Sequence, residues 1–219
     1  MSIKIFIVED DPITCMDLYE ILEAHGYDVM GTASSYLTCL SKLADTLPDV
    51  MLIDVKLKGE KDGLDLISFL TKKHDQSIPS IFLTANTDKE TLERAFESGP
   101  AAFLTKPYSE EDMLIALKMV YCSSRKDEKF SDQPMDKINE ILFIKNEGTY
   151  SRVVTEGKEF MFSEVSAEYK SLLPGELFTD MNDTHFVNLR RISRIDGDTI
   201  YLNNHKVNVS AEHLHKIRK

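Results

Sequence analysis

Val50-Met51-Leu52-Ile53-Asp54 is an unbroken apolar run that stops on a carboxylate. A run of this kind suits a central strand of a parallel sheet, covered on both faces. Upstream, Ile3 to Val8, apolar but for Lys4, reads as another strand, closed by Glu9-Asp10-Asp11. Downstream, Ser80-Ile81-Phe82-Leu83 ends at Thr84-Ala85, and Ala101-Ala102-Phe103-Leu104 leads to Lys106-Pro107. Tyr27 to Ala33 supplies a further strand. Helical patterns fill the gaps. Pro12 follows Asp11, a candidate N-cap, and Leu18, Ile21 and Leu22 recur at helical spacing. Helices are also expected over Tyr36–Leu47 and Gly63–Lys73, from a capping box at Thr87-Asp88-Lys89-Glu90, and from Ser109–Asp112 through Tyr121. This succession of β-α units predicts an α/β doubly wound sheet with helices on both faces.

Beyond Tyr121 the pattern changes. Ser123 to Lys129 is polar and aperiodic, and Pro134 follows, so residues 123–136 read as a linker between a domain at 1–122 and another at 137–219. The second half alternates short strands with turns: Ile138–Ile144, Tyr150–Thr155 and Phe160–Phe162, then a helix over Glu164–Leu173 stopped by Pro174-Gly175. Strands near Phe186-Val187, Ile192–Ile195, Thr199–Leu202 and Val207–Val209 come next, and a last helical turn covers Ala211–Ile217. Gly197-Asp198 and Asn203-Asn204 suit hairpin turns. A mainly-β domain is expected.

Composition narrows the class. The 219 residues are 42% hydrophobic and 29% charged, which allows each half a core of its own. No run reaches the roughly 20 apolar residues a membrane span needs, and the start lacks a signal-peptide pattern, so a cytoplasmic protein is expected. Cys15, Cys39 and Cys122 are too widely spaced for a zinc site or a disulfide framework. The net charge is -11, with the acid excess in the first half and neither half basic. Duplex DNA normally selects a basic surface, which bears on the second half.

Functional groups of a parallel sheet gather at the carboxyl ends of its strands. Taken singly, an Asp at a strand end is usually a cap and a Lys-Pro is unremarked. Here Glu9-Asp10, Asp54, Thr84 and Lys106 fall in order at successive strand ends. Carboxylates brought together need a cation, and hard oxygen donors select Mg²⁺. Asp54 can then act as a nucleophile toward phosphorus, with Lys106 and Thr84 as donors to phosphate oxygens. An aspartate-nucleophile phosphatase of the haloacid dehalogenase kind would want a second Asp two residues on, where Lys56 stands.

These positions resemble the receiver family of two-component response regulators over about residues 1–122. The resemblance implies a flavodoxin-like fold, phosphoryl transfer from a sensor histidine kinase to Asp54, and slow self-dephosphorylation as the only turnover. It implies Mg²⁺ held by Glu9, Asp10, Asp54 and the main-chain carbonyl of Lys56, with Asp11 left as a helix cap. Thr84 and Phe103 become a switch pair and Lys106 the phosphate-sensing lysine, ahead of a cis Pro107. A switched surface near residues 86–108 would control dimerisation. The loop Lys56-Leu57-Lys58-Gly59-Glu60-Lys61-Asp62-Gly63 departs from the family in having no proline.

Residues 137–219 resemble the LytTR family of DNA-binding output domains. The resemblance is carried by Ile141-Leu142-Phe143-Ile144, Gly148-Thr149-Tyr150, Leu172-Leu173-Pro174, Phe178, Phe186-Val187-Asn188-Leu189, Asp198 to Leu202 and Val209-Ser210. It implies a homodimer that binds duplex DNA and regulates transcription. Where the family places basic residues, this chain has Asp180, Asn182 and Asp183, and Ala211-Glu212 follow Ser210. The remaining DNA-contact candidates are Asn188, which could equally be a turn residue, Arg190, Arg191, Arg194 and Lys206, with Lys145, Asn146 and Arg152 elsewhere. A protein-interaction output without direct DNA binding is the alternative.

Overall fold

The computed structural model describes residues 2–43, 46–74, 78–85, 94, 101–124, 135–148, 150–157, 159–162, 170 and 173–217. The expected capping box at Thr87 to Glu90 lies outside them, as do most of the expected linker, most of the expected helix over Glu164–Leu173, and Thr149 and Leu172. The chain divides into two compact units, Met1–Ser124 and Arg125–Lys219.

In the first unit, β1 (Lys4–Val8), β2 (Asp28–Ala33), β3 (Val50–Asp54), β4 (Ser80–Thr84) and β5 (Ala102–Thr105) make a parallel sheet in the order β2-β1-β3-β4-β5. Strands β3 and β4 are buried along their whole length, because each has a strand on either side and helices over its faces. The strand order reverses between β1 and β3, and a doubly wound sheet opens its crevice at such a reversal. Glu9-Asp10 and Asp54 are therefore delivered to the same end of adjacent strands.

The helices start where the sequence places their caps. Asp11 accepts a bond from the Thr14 amide at 2.8 Å and Pro12 opens α1 (Pro12–Ala24). A box between Ser35 and Thr38 opens α2 (Tyr36–Lys42). Helix α3 spans Gly63–His74, and α4 (Glu110–Ser124) begins at Ser109, whose hydroxyl donates to Asp112 at 2.7 Å. Two helix ends differ from expectation. Helix α2 stops at Lys42 rather than near Leu47, and Pro48 disfavours a helical residue just before it. Helix α4 runs to Ser124, into the expected linker, because Ser124 returns its hydroxyl to the Tyr121 carbonyl at 2.7 Å and so fits the last turn.

The second unit holds two antiparallel sheets. The larger has β6 (Ile141–Asn146), β7 (Ser151–Thr155), β8 (Glu159–Phe162), β9 (Phe178–Asp180) and β10 (His185–Asn188) in the order β8-β7-β6-β10-β9. The smaller is a meander of β11 (Arg194–Asp196), β12 (Thr199–Leu202) and β13 (His205–Asn208). Its turns need positive φ, supplied by Gly197 at 62° and Asn203 at 51°. Leu142, Phe143, Met181, Val187, Ile200 and Leu202 belong to one core that unites the two sheets. Strand β9 was not anticipated. It is three residues long, and its Thr179-Asp180 carries no apolar alternation. Residues 135–140 form a 3-10 turn before β6, so the strand begins at Ile141 rather than Ile138.

Candidate functional site

At the crevice, Glu9, Asp10 and Asp54 bring one carboxylate oxygen each within 4.8 Å of one another. Glu9 and Asp54 are buried, and Asp10 is partly exposed at the rim. Lys106 closes the group from the β5 side. Its ammonium lies 2.5 Å from Asp54 Oδ2 and 2.7 Å from Glu9 Oε2. Burial works against the Lys106 charge, but its bonds to Asp54 and Glu9 prevail and hold it above the usual lysine range. Burial, aided by the Asp54 charge, pushes the Glu9 carboxyl up against the pull of Lys106.

Asp54 is aimed by its own loop. Its Oδ1 accepts the Lys56 amide at 2.8 Å, which folds the main chain of Lys56 beside the carboxylate. The Lys106–Pro107 peptide bond is cis, as the resemblance implied, and the Lys106 amide donates to the Thr84 carbonyl at 2.7 Å. Thr84 is buried at the end of β4, and Thr84 and Thr105 are register partners. Phe103 lies inward, 1% exposed, with its ring centroid 5.6 Å from that of its cross-strand partner Phe82. Asp11 is a cap and no part of the cluster. Buried hard oxygens converging at this spacing suit a small divalent cation, which takes one or two carboxylates and leaves positions for phosphate oxygens and water. The donor set therefore fits Mg²⁺, with Glu9, Asp10, Asp54 and the Lys56 carbonyl as the residues that would hold it.

Two contributors escaped the sequence reading. A Cβ on Gly63 would stand 2.3 Å from the Asp54 carbonyl oxygen and 2.8 Å from Ile53 Cγ2, so only glycine lets α3 start against the end of β3. The Gly63 amide also donates to Val55 O at 3.0 Å. Lys58 stands in a proline-free loop, and its ammonium lies 3.5 Å from Asp10 Oδ2. Its place four residues after Asp54 was the available signal. Beside the cluster, a recess of about 410 Å³ is walled by Asp10, Pro12, Met16 and Lys42, among others, and Ile13 and Met16 of α1 are largely exposed.

The second unit sorts its candidates differently. Asn188 is a correction. It is completely buried, its amide donates to Ile141 O at 3.0 Å, and its oxygen accepts the Arg190 amide at 3.1 Å. It pins β10 to β6 and caps the following 3-10 turn, so it has no surface to offer DNA. Arg191 reaches Glu156 at 2.5 Å, and Lys145 and Arg152 converge on Glu147 at 2.7 and 2.9 Å. Glu147 is partly buried, which pushes its carboxyl up, but bonds from Lys145 and Arg152 overcome this and hold it down to about 2. Arg190 is exposed. Arg194, Tyr201 and Lys206 are cross-strand partners on one face of the small sheet. The Arg194 guanidinium stacks 4.0 Å from the Tyr201 ring centroid, with Lys206 Nζ at 5.6 Å. Tyr201 was missed as part of a surface, although its alternation with buried Ile200 and Leu202 marks it as outward. Asn182, one of the departures, gathers the Thr184 and His185 amides and donates to Asn208 O at 2.6 Å, a turn-building role.

A family model described as the response regulator receiver domain matches residues 5–118, and one described as the LytTr DNA-binding domain matches 135–219. The chain is similar to the transcriptional regulatory protein PdtaR of Mycobacterium tuberculosis, 32% identical over 116 residues. That alignment covers 53% of this chain and spans about half, 55%, of the relative. It is also similar to the phosphate regulon transcriptional regulatory protein PhoB of Shigella dysenteriae, 26% identical over 100% of this chain and 89% of the relative. Among solved structures, the signal receiver domain of a modulated diguanylate cyclase from Desulfovibrio desulfuricans G20 aligns with a TM-score of 0.53 at 29% identity, covering 58% of this chain and 100% of that one. Among the described residues no helix is long and apolar enough to cross a membrane.

Proposed function

Because the chain belongs to the response regulator family, with a receiver domain followed by a LytTR DNA-binding domain, we propose that Asp54 accepts a phosphoryl group from a sensor histidine kinase and that this controls DNA binding by the second unit. The observation that carries the reading is the Asp54 carboxylate, buried at the switch point with Lys106 at 2.5 Å and two further carboxylates beside it. The boundaries that go with it are 1–122 for the receiver, 123–136 for the linker and 137–219 for the output, in a cytoplasmic protein.

The residues divide the work. Asp54 supplies the attacking oxygen: a bond forms from its carboxylate to phosphorus as the bond from phosphorus to the donor nitrogen breaks. The product is an acyl phosphate on Asp54, and the donor ring, protonated on its other nitrogen, takes the electron pair of the broken bond and leaves as a neutral imidazole. Lys106 releases Asp54 Oδ2 to the incoming phosphorus and follows one of the phosphoryl oxygens as a point charge. Thr84 lies at the neighbouring strand end to offer its hydroxyl to another. A bound Mg²⁺ supplies charge neutralisation for the phosphoryl oxygens. Withdrawal of the Thr84 hydroxyl toward the phosphoryl group changes the packing over Phe103, and two packings a few kcal/mol apart suffice to shift the population of a surface that pairs two copies. The exposed Ile13 and Met16, beside the recess that reaches Asp10, give the kinase an apolar footing next to the chemistry. Slow hydrolysis of the acyl phosphate is the only turnover.

Arg190, Arg194 and Lys206 are the DNA contacts best supported, since Asn188 is interior and Arg191 is tied to Glu156 at 2.5 Å, whereas Arg194 meets Asp196 only at 3.8 Å between exposed side chains. The second reading, an output that binds protein, is favoured by one observation: several of the unit's cations are held by its own carboxylates. One experiment tests both levels. The full chain is incubated with a small acyl phosphate and Mg²⁺, and phosphorylation and binding to a random duplex pool are followed over a salt series. A hydroxylamine-labile phosphate and tighter, salt-sensitive DNA binding support the proposal. Phosphorylation without DNA binding at low salt transfers the output to a protein partner, and no phosphorylation ends the receiver reading.

A further inference from the structure

Two lysines divide the acid cluster between them. Lys106 takes Glu9 and Asp54, while Lys58 takes Asp10, with Nζ 3.5 Å from Oδ2 and a bond to the Asp10 main-chain oxygen at 3.2 Å. Their settings differ. The Lys106 side chain is 23% exposed and bridges two buried carboxylates, whereas the Lys58 side chain is 75% exposed and meets the cluster only at its rim. The loop brings Lys58 there through Gly59, whose φ of 118° is a conformation other residues rarely adopt. Every carboxylate of the cluster therefore has an ammonium partner.

We propose that Lys58 is a resident competitor for Asp10 and that divalent-cation binding displaces it, so that Lys58 lowers the cation affinity of the site. The proposal rests on the reading of Glu9, Asp10 and Asp54 as a divalent-cation site. A carboxylate has acceptor sites for both, but an ammonium and a divalent cation held on one carboxylate repel each other at a few ångströms, so the pairing of Lys58 with Asp10 opposes cation binding. Lys106 does not fit this role, since its charge is needed beside Asp54. Lys58 does: it is solvated, its release restores side-chain freedom, and it touches neither Glu9 nor Asp54. Lys61 on the same loop gives the contrast. Its ammonium sits over the Tyr36 ring at 4.6 Å, away from the acids.

The test is calorimetric titration of Mg²⁺ alone into the full chain, wild type against Lys58→Met, Lys58→Arg and Lys61→Met. Losing a solvated pairing cation should tighten Mg²⁺ binding roughly two- to five-fold in Lys58→Met. Lys58→Arg should stay near wild type or bind more weakly, and Lys61→Met, with the same change of formal charge, should shift much less. Equal affinity in Lys58→Met and wild type overturns the proposal, as does an equal shift in Lys58→Met and Lys61→Met, which would reduce the effect to net charge. If wild type and variants alike bind no Mg²⁺, the cation site itself is wrong and the proposal falls with it, an outcome distinct from saturable but unshifted binding.

Discussion

The two units handle charge in opposite ways. In the receiver, parallel strands end side by side, and their acids are gathered into a buried crevice with a lysine between them. In the output unit, antiparallel hairpins spread charges over exposed faces, and many cations are settled locally, Arg152 by Glu147 and Glu159, Arg191 by Glu156. Convergence concentrates carboxylates and their lysine partners in one crevice; dispersal spreads such pairs over the surface. The first arrangement makes chemistry, while the second leaves a few unquenched positions to do the binding.

The sharpest way to break the contrast is at its centre. Asp54→Asn should abolish incorporation of phosphate from a small acyl phosphate, measured by mass spectrometry of the intact chain, while the output unit keeps its basal DNA affinity. Persistent labelling would place the acceptor elsewhere. Gly63→Val comes next. Steric overlap with Asp54 O should cost upwards of about 3 kcal/mol in urea unfolding. The loss should appear in the transition of the first unit alone, and an equal loss in both would show that the units do not unfold separately.

Asn188→Ala and Arg194→Ala should separate structure from contact in the second unit. The first strips a buried acceptor and donor and should destabilise that unit by about 1–3 kcal/mol while leaving the salt slope of DNA binding unchanged. The second should leave stability nearly alone and lower the salt slope by about 1. Exchange of those phenotypes would reverse the assignment. The smallest effect concerns Glu147. Its carboxyl is held at about 2, below the ordinary 4.5, so the stability it adds is complete above about pH 4.5 and lost as pH falls toward 2. Glu147→Gln should therefore cost about 1 kcal/mol or less at pH 7, the scale of partly exposed pairs. The gap to wild type should close through that window, and a gap that stays constant with pH would mean packing rather than charge.

Much of the receiver could be read from the chain because the same pattern serves fold and site. The apolar run at Val50 to Ile53 fixes a buried strand, and the residue that ends it is the one the fold sets beside Glu9, Asp10 and Lys106. Caps at Asp11 and Ser109 were legible for the same local reason. Gly63 and Lys58 were not, since a close approach between backbones and a contact with Asp10 both depend on how the β3–α3 loop folds back. In the output unit the alternation at Thr199 to Leu202 located β12, but not that Tyr201 would meet Arg194 and Lys206, because strand register lies outside any one strand. Asn188 misled for a plain reason: an asparagine beside arginines reads as surface, and only the pairing of β10 with β6 puts it inside.

Gly63 has a further consequence. Helix α3 opens on a residue that disfavours helices by about 1 kcal/mol relative to alanine, and it does so to rest main chain directly on main chain. Side-chain packing has give, since rotamers can adjust; two abutting backbones do not. The twelve-residue helix thus acts as a rigid strut about 18 Å long with its foot on the Asp54 main chain, and the origin of that carboxylate is tied to the placement of α3.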